Sequence, residues 1–515
     1  MKARPDLAQR VARGAFWASV ESWTQQLLQL LIFIMLARML GPEAYGLVGA
    51  ALILTMIGEA LVNEAGWAEA LIQRREIDQR HRDSVLWVLL AVTGLLVVAA
   101  WLLRDLAAAA LGTPEVADIL PWLALSLPLS ALGVVPRALL GRELRFRPLA
   151  LRSITAMAVA GAVAIAMARE GFGLWSLVAY QVVQPLIEAV VLWSTAGWRP
   201  RLHVSRAALT ELLAFVGGVF GERVLILVDG LLPRILVTML LGPVALGFYT
   251  FARKIFEMVG RLLIGPLSRV AMPTFSELQH DRGRTQRVLT LGVQLTSLVA
   301  MPAFLGLALT ADELVPLVFG PAWVDAVPAV QLFAALGFAA PLTRLNSALM
   351  LGLGKSREQF MLAVVGTVLL AALMVGLLAV SRTVEAVVLA IGARYWLMLP
   401  LRLYWLAHHA RIAIGPTLRG ILPVLASAAV MVATVLVLRG QLPDDWPLAA
   451  RLGASAFGGG ASYLAAMLVL GRPLLLRAGA LARMYGSAAA GTADARPAEA
   501  GAAEPAHVRP VRETT

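Results

Sequence analysis

The sequence LGPEAYG at residues 40–46 recurs as LGPVALG at residues 241–247. The offset of 201 holds without gaps between residues 21–51 and 222–252, where 10 of 31 positions are identical. Leucine-rich helices agree by chance at several positions, but not at a glutamate, a Gly-Pro pair and a spaced glycine. The chain is therefore predicted to contain two structural copies, each with Gly-Pro in a tight turn between two helices.

The composition indicates a membrane protein. Of the 515 residues, 59% are hydrophobic and 15% are charged, whereas soluble domains hold about 45–50% apolar and 25% charged residues. Apolar stretches long enough to span a bilayer predict about fourteen transmembrane helices between residues 14 and 470.

The predicted fold class is an all-α polytopic membrane protein. Two pseudo-symmetric six-helix lobes would occupy residues 1–206 and 207–410, followed by helices 13 and 14 as an appendage at 411–483. Since six is an even number, the copies share their orientation and should be related by an axis along the membrane normal. Residues 484–515, rich in Ala, Gly, Pro and Glu, are predicted to be a disordered cytoplasmic tail.

The distribution of basic residues predicts the orientation. With a cytoplasmic N-terminus, the inner segments hold 30 Lys and Arg residues and the outer segments hold five. Basic residues concentrate in cytoplasmic loops. Both termini are therefore expected in the cytoplasm, and the formal net charge of +12 does not indicate a nucleic-acid partner.

Several enzyme classes are excluded by residue content. The sequence has no cysteine, which rules out disulfides, thiolate metal sites and cysteine nucleophiles. All six histidines fall in segments assigned to the cytoplasmic side, so a zinc site or a histidine relay within the membrane is not expected. We predict no catalytic residues, no metal and no cofactor.

Five stretches resemble the polysaccharide-transport branch of the multidrug, oligosaccharidyl-lipid and polysaccharide flippase superfamily. Their order and spacing carry the resemblance, which covers most of residues 10–410. One departure is Glu64, where such proteins usually have Asp two residues before Gly66. The stretches are ARMLGPEAYGLVGAALIL (37–54), NEAGWAEALIQRREI (63–77), PLSRVAMPTFSELQ (266–279), VFGPAWVDAVPAVQLFAALGF (318–338) and LGLGKSR (351–357).

The resemblance implies a flippase of the bacterial cytoplasmic (inner) membrane. Two six-helix lobes would form a V around a central cavity that opens alternately to the two sides. The implied cargo is an oligosaccharide on a polyprenyl (pyro)phosphate carrier, used for surface polysaccharide such as lipopolysaccharide or exopolysaccharide. Membrane lipid and the glycosyltransferases and polymerase of the same pathway are the expected partners.

Basic residues inside the second lobe are the candidate cargo ligands. Charges within a bilayer are expensive and usually face a partner or a water-filled cavity, and guanidinium groups bind phosphate oxygens bidentately. Arg253 and Arg261 could instead form an i, i+4 ladder with Glu257, and Arg344 could extend to the interface. Arg223 and Arg394 have no acid one helical turn away. The substrate-binding candidates are Arg223, Arg234, Arg253, Lys254, Arg344 and Arg394.

A polar stripe on helix 1 is the second candidate site. Glu21, Gln25 and Gln29 are spaced i, i+4, i+8 and are expected either to line the cavity or to bond to a neighbouring helix. Glu21 and its counterpart Glu222, together with Asp229, could bridge the lobes or bind a coupling cation or proton.

Two other functions fit the sequence less well. A multidrug extruder of the same superfamily would bind organic cations, which a basic cavity repels. A membrane polysaccharide polymerase or glycosyltransferase would need a long external segment, but the longest predicted outer segments, 104–118 and 310–325, are too short to fold a site.

Overall fold

A computed structural model describes residues 7–337, 340–443 and 445–477, and all regular structure in these ranges is helical. A π-helical turn at Ala60–Glu64 follows α1, and a 3-10 helix at Pro321–Ala326 precedes α12. The α-helices are α1 (Leu7–Glu59), α2 (Trp67–Gln73), α3 (Gln79–Leu102), α4 (Arg104–Leu111), α5 (Val116–Ala124), α6 (Ser126–Arg142), α7 (Phe146–Arg169), α8 (Trp175–Thr195), α9 (Arg206–Leu241), α10 (Pro243–Glu277), α11 (Arg282–Phe319), α12 (Val327–Gly337), α13 (Ala340–Gly352), α14 (Ser356–Val380), α15 (Val384–His409), α16 (Ile414–Gln441) and α17 (Leu448–Leu470).

The repeated Gly-Pro pair breaks the helix in the same way in both copies. Gly41 has φ 71° and ψ −180° inside α1, and Gly242 has φ 85° and ψ 178° between α9 and α10. A side chain is strained at such positive φ, whereas glycine adopts it freely. The following proline has the φ that starts a helix and lacks the N–H that the first turn leaves unpaired. The predicted turns are therefore present in both copies.

The two copies contact each other through this same motif. The Cα of Gly46 packs against the carbonyl of Pro243, and the Cα of Gly247 packs against the carbonyl of Pro42. A Cβ at Gly46 would lie 1.8 Å from the Pro243 oxygen, and one at Gly247 would lie 2.0 Å from the Pro42 oxygen. Only glycine permits this reciprocal approach of α1 and α10.

An aromatic cluster extends this contact between the copies. The rings of Phe251 and Trp323 stack with centroids 4.1 Å apart, and Phe33 of α1 lies 5.6 Å from Phe251. Trp323 Nε1 donates to the carbonyl of Ala37 at 2.9 Å. Buried aromatic side chains remove large apolar surfaces from the surroundings, so α1, α10 and the turn before α12 form one packed unit.

Eleven helices in the described residues are long and apolar enough to cross a membrane. One of them, Ser19–Gln73, is 55 residues long and contains the break at Gly41, so it covers two predicted spans. Two further predicted spans are not among the eleven helices. One coincides with α10, which carries several charges, and the other coincides with α12 and α13, which are short. The chain is a multi-pass membrane protein, but the predicted count of fourteen is not confirmed.

Helices α16 and α17 pack on each other and on α11. Arg439 of α16 donates to Glu313 of α11 at 2.9 Å and also pairs with Asp312. Tyr463 of α17 donates its hydroxyl to the carbonyl of Leu298 at 2.7 Å. These bonds attach the predicted appendage to the second copy. The predicted tail at 484–515 lies outside the described residues.

Candidate substrate cavity

A cavity of about 300 Å³ lies between the two copies. Helix α1 contributes Gln29 and Tyr45, helix α8 contributes Tyr180 and Gln181, and helices α9 and α10 contribute the charged side chains. The second half of α1, from Pro42, and helix α10 are equivalent in the repeat, and both line this cavity. The sequence repeat therefore places a shared cavity at the contact between the copies.

Among the described residues, four basic side chains line this cavity, against a single acidic one. Helix α9 supplies Arg234, while α10 supplies Arg253, Lys254 and Arg261 together with the acid Glu257. Three of the four basic residues lie on α10 at positions i, i+1 and i+8, within two and a half turns. These positions fall on neighbouring parts of one helix surface. The cavity therefore has an excess of positive charge.

Arg253 is partly neutralised. Its Nε donates to Glu257 Oε1 at 2.8 Å, and its Nη1 donates to the Tyr249 hydroxyl at 2.9 Å. The Arg253–Glu257 pair is the i, i+4 interaction that the sequence left open. It orients the guanidinium on α10.

The other three basic groups are held by weaker contacts. Lys254 Nζ lies over the ring of Phe33, 5.0 Å from its centroid, in a cation–π contact. Arg261 Nη2 donates to Gln29 Oε1 at 3.3 Å across the α1–α10 contact. Arg234 contacts the sulfur of Met56, and its buried Nε has no hydrogen-bond partner in the described residues. These donors remain available to an anionic ligand.

Arg394 and Asp229 form a separate pair beside this cavity. Arg394 donates to Asp229 Oδ1, which also accepts from Thr367 Oγ1 at 3.3 Å. Both charged residues line a cavity of about 110 Å³ that also reaches Arg253 and Glu257. No acid lies one helical turn from Arg394 on α15. The structure places Asp229 of α9 beside it instead.

The remaining predicted site residues lie elsewhere. Arg223 is exposed near the start of the membrane-spanning part of α9 and is not among the residues lining the central cavity. Glu21 accepts from Ser153 of α7 at 2.6 Å, and Gln25 donates to Glu21 at 3.5 Å, so this part of the stripe bonds within the first copy. The side chains of Glu222 and Arg344 lie outside the described part of the chain.

Two basic residues at the ends of segment 137–152, one of the inner segments predicted from the sequence, line a cavity of the first copy. Arg137 of α6 and Arg152 of α7 both belong to its wall. Arg137 lies at the end of one predicted span and Arg152 at the start of the next. At such positions a count of basic residues does not distinguish a side chain in the loop from one that points into the protein. Arg152 pairs with two acids, Glu21 at 4.0 Å and Glu188 at 3.7 Å. Only the tertiary structure reveals these pairs, because the two acids lie on other helices.

Comparison with known proteins places this geometry in a family context. Residues 35–328 match the family model described as "Polysaccharide biosynthesis protein". The chain is 28% identical over 327 residues to the succinoglycan biosynthesis transport protein ExoT of Rhizobium meliloti (strain 1021), covering 64% of this chain and 66% of that protein. It is 25% identical over 337 residues to the lipopolysaccharide biosynthesis protein WzxC of Escherichia coli (strain K12), covering 64% and 68%. The chain thus spans about two thirds of the length of these relatives.

A solved structure shares the fold. The lipid II flippase MurJ, in an inward closed conformation, superposes with a TM-score of 0.73 over 89% of this chain and 99% of that chain, at 13% identity. At that identity the likeness shows the helical architecture alone. It agrees with the all-α polytopic class predicted from composition and periodicity.

Proposed function

This chain belongs to the polysaccharide biosynthesis protein family, and we propose that it is a flippase for polyprenyl-(pyro)phosphate-linked oligosaccharides. It moves these units across the bacterial cytoplasmic membrane for surface polysaccharide biosynthesis. Relatives that are named as succinoglycan transport and lipopolysaccharide biosynthesis proteins support this cargo class. The protein carries the unit without making or breaking covalent bonds.

The observation that carries the proposal is the basic cavity between the copies. Arg234, Arg253, Lys254 and Arg261 face one acid, Glu257, in a space of about 300 Å³. A pyrophosphate is a compact multiple anion, and Arg and Lys side chains donate charge-assisted hydrogen bonds to its oxygens. Within a bilayer, charge attraction is weakly screened. This cavity therefore compensates the charge of the lipid-linked head group as it passes the membrane interior.

Transport follows an alternating-access cycle. The two lobes, residues 1–206 and 207–410, rotate against each other about the central cavity, as in other transporters built from repeats. The reciprocal contact of Gly46 with Pro243 closes the predicted outer side, so this contact separates when the cavity opens outward. Arg234 lies on the outer half of α9 and stays within reach of the head group at that stage.

The orientation proposed here has both termini in the cytoplasm. It rests on the 30 basic residues in inner segments against five in outer segments. The glycosyltransferases that build the unit and the polymerase that extends it are the proposed partners. Helices α16 and α17 form the appendage proposed for residues 411–483.

The two alternative functions are disfavoured by particular features. Organic cations, the cargo of a multidrug extruder, are repelled by a cavity with four basic residues and one acid. A polymerase needs an external catalytic domain, and the predicted outer segment 104–118 is occupied by the two-turn helix α4 and a short turn. The basic cavity therefore disfavours the multidrug extruder, and the short outer segment disfavours the polymerase.

The experiment replaces cavity charges in a strain whose only flippase for the pathway is this chain. Arg253→Gln combined with Lys254→Gln is expected to reduce surface polysaccharide at least about tenfold, because losing a buried charged partner costs about 2 kcal/mol or more. Lipid-linked units should accumulate in the membrane, which extraction and mass spectrometry of the polyprenyl lipids measure.

A matched control replaces two basic residues of the predicted cytoplasmic end of α11, Arg284→Gln with Arg287→Gln. Both are exposed and lie outside the cavity lining. Immunoblots of the tagged proteins establish equal abundance. Wild-type polysaccharide levels in the cavity variant at normal abundance would reject the proposed function.

A further inference from the structure

A second cavity of about 480 Å³ lies inside the first copy, beside the basic cavity. Helices α1, α6, α7 and α8 and the π-helical turn surround it. Leu52, Gln181 and Arg234 line both cavities. The two spaces are therefore neighbours that share a wall, and Arg234 stands at their boundary.

One side of this cavity is a chain of hydrogen-bonding groups. Asn63 donates to Glu59 at 2.6 Å and accepts from Arg137 at 3.0 Å, while Ser130 donates to Glu59 at 3.3 Å. Carboxylate, amide, hydroxyl and guanidinium groups thus alternate along one wall. Such a wall offers both donors and acceptors to a ligand.

Another part of the wall is built around Arg152. Its Nε lies 3.7 Å from Glu188 Oε2, and Gln184 donates to Glu188 at 3.5 Å. The Arg152 side chain is 11% exposed, and its buried Nη1 has no hydrogen-bond partner in the described residues. A buried donor without a partner costs free energy, and a ligand oxygen in this cavity would satisfy it.

The charges of this cavity balance, unlike those of the central one. Arg137 and Arg152 accompany Glu59 and Glu188 in the lining, so apart from the shared Arg234 the described part of this lining has no excess of either sign. A balanced lining has no preference for a phosphate. It suits a neutral ligand rich in hydroxyl groups, each of which donates one hydrogen bond and accepts others. Gly133, Pro185 and Leu192 add apolar wall for the faces of such a ligand.

We propose that this first-copy cavity holds the glycan of the cargo while the basic cavity holds its pyrophosphate. This inference rests on the proposed function and adds a division of labour between the copies. The lipid-linked unit has its anionic and its hydroxyl-rich parts joined directly, and the two cavities are joined in the same way at Arg234. A volume of about 480 Å³ lies within the usual range of ligand pockets, about 300–1,000 Å³.

The test compares three lipids on the full chain in nanodiscs. Native mass spectrometry gives dissociation constants for undecaprenyl pyrophosphate, for the same lipid with a single hexose, and for the lipid with a short oligosaccharide. In the wild type, affinity should increase with added sugar. Asn63→Ala with Gln184→Ala should weaken binding of the oligosaccharide lipid about tenfold, by the loss of two hydrogen-bonding groups, and leave the sugar-free lipid within about twofold. Gln286→Ala, a glutamine on α11 bonded to α16, is the matched control.

A second measurement uses the absence of cysteine from the sequence. Ser130→Cys introduces a single thiol into the cavity wall, and its reaction with a small methanethiosulfonate reagent reports occupancy. The oligosaccharide lipid should slow this reaction, whereas undecaprenyl pyrophosphate should not. This readout does not depend on the folding of the double variant.

The outcomes separate the two proposals. Three outcomes would overturn the glycan subsite without affecting the proposed role of the basic cavity. These are equal affinity of the wild type for all three lipids, an unchanged preference for sugar in the double variant, and no protection of the thiol in Ser130→Cys by the oligosaccharide lipid. Failure of the wild type to bind any of the three lipids would instead overturn the proposed function, and the glycan subsite with it.

Discussion

Gly46 and Pro243 touch across the contact between the two copies, and Gly247 and Pro42 repeat the same contact with the roles exchanged. The four residues are the Gly and Pro positions of the repeated LGPxxxG motif. The motif therefore has two functions: Gly41 and Gly242 permit the sharp break between helices, and Gly46 and Gly247 permit the close approach of one copy to the other.

The first prediction tests this contact. Gly46→Ala or Gly247→Ala places a methyl group about 2 Å from a backbone carbonyl oxygen, and overpacking of this kind costs about 1–3 kcal/mol. The closed arrangement of the predicted outer side should lose population, and surface polysaccharide export should fall. Gly94→Ala on α3, where a Cβ meets no atom within 4 Å, is the control. Wild-type export in both single variants and in their combination would contradict the prediction.

The second prediction concerns the Asp229–Arg394 pair. The side chains are 31% and 13% exposed, so removing one partner leaves the other charge poorly solvated, at a cost of about 3 kcal/mol. Arg394→Gln alone should lower the Tm of the purified protein more than Arg394→Gln combined with Asp229→Asn, because the double variant leaves no unpaired charge. Thermal unfolding in detergent measures both. A double variant at least as destabilised as the sum of Arg394→Gln and Asp229→Asn, each measured alone, would show that the pair is not coupled.

The third prediction is a pH dependence at the start of α3. Desolvation acts to raise the pKa of Asp78. The carboxylate accepts hydrogen bonds from the His81 backbone at 3.2 Å, from the His81 ring at 2.5 Å and from Arg80 at 3.0 Å. These bonds outweigh desolvation and lower the pKa of Asp78 to about 2. A carboxyl whose folded-state pKa is depressed stabilises the fold above its unfolded pKa of 3.8, and this contribution is lost as the pH falls towards 2.

The wild-type Tm should therefore decrease more steeply between about pH 4 and pH 2 than the Tm of Asp78→Asn, which keeps a capping side chain without the titrating charge. Differential scanning fluorimetry in detergent across this range makes the comparison. Asp105→Asn, at an acid that is 80% exposed, should leave the wild-type slope unchanged. Identical slopes for the wild type and Asp78→Asn would refute the assignment.

The fourth prediction tests the orientation. Ser381 and Gly354 lie in the turns that flank α14 on opposite sides. Alkaline phosphatase fused after Ser381 should be active, because the enzyme requires the oxidising outer compartment for its disulfides, and the same enzyme fused after Gly354 should be inactive. The turn containing Gly354 precedes Lys355 and Arg357, as expected for a cytoplasmic segment. The reverse pattern of activities would invert the proposed topology.

The sequence by itself determined the membrane class, the all-helical architecture and the repeat with its Gly-Pro turns. These depend on local properties: apolar length, the positive φ that glycine allows, and the proline that starts the next helix. The internal repeat also identified the second half of α1, from Pro42, and α10 as equivalent helices before any contact was known. The positions of Arg234, Arg253 and Lys254 within apolar stretches made them candidate cavity residues, and all three line the central cavity.

Only the tertiary structure decided which charges are paired and which face a cavity. Asp229 and Arg394 are 165 residues apart, and Glu21 and Ser153 are 132 apart, so no helical spacing relates them. For the same reason the sequence places Arg137 and Arg152 at the ends of a cytoplasmic segment, although they line the first-copy cavity. Spacing along one helix predicts which side chains share a face, but the partner of that face depends on how separate helices rotate and pack against each other. That rotation is set by contacts such as Gly46 with Pro243, which exist only once both copies have folded together.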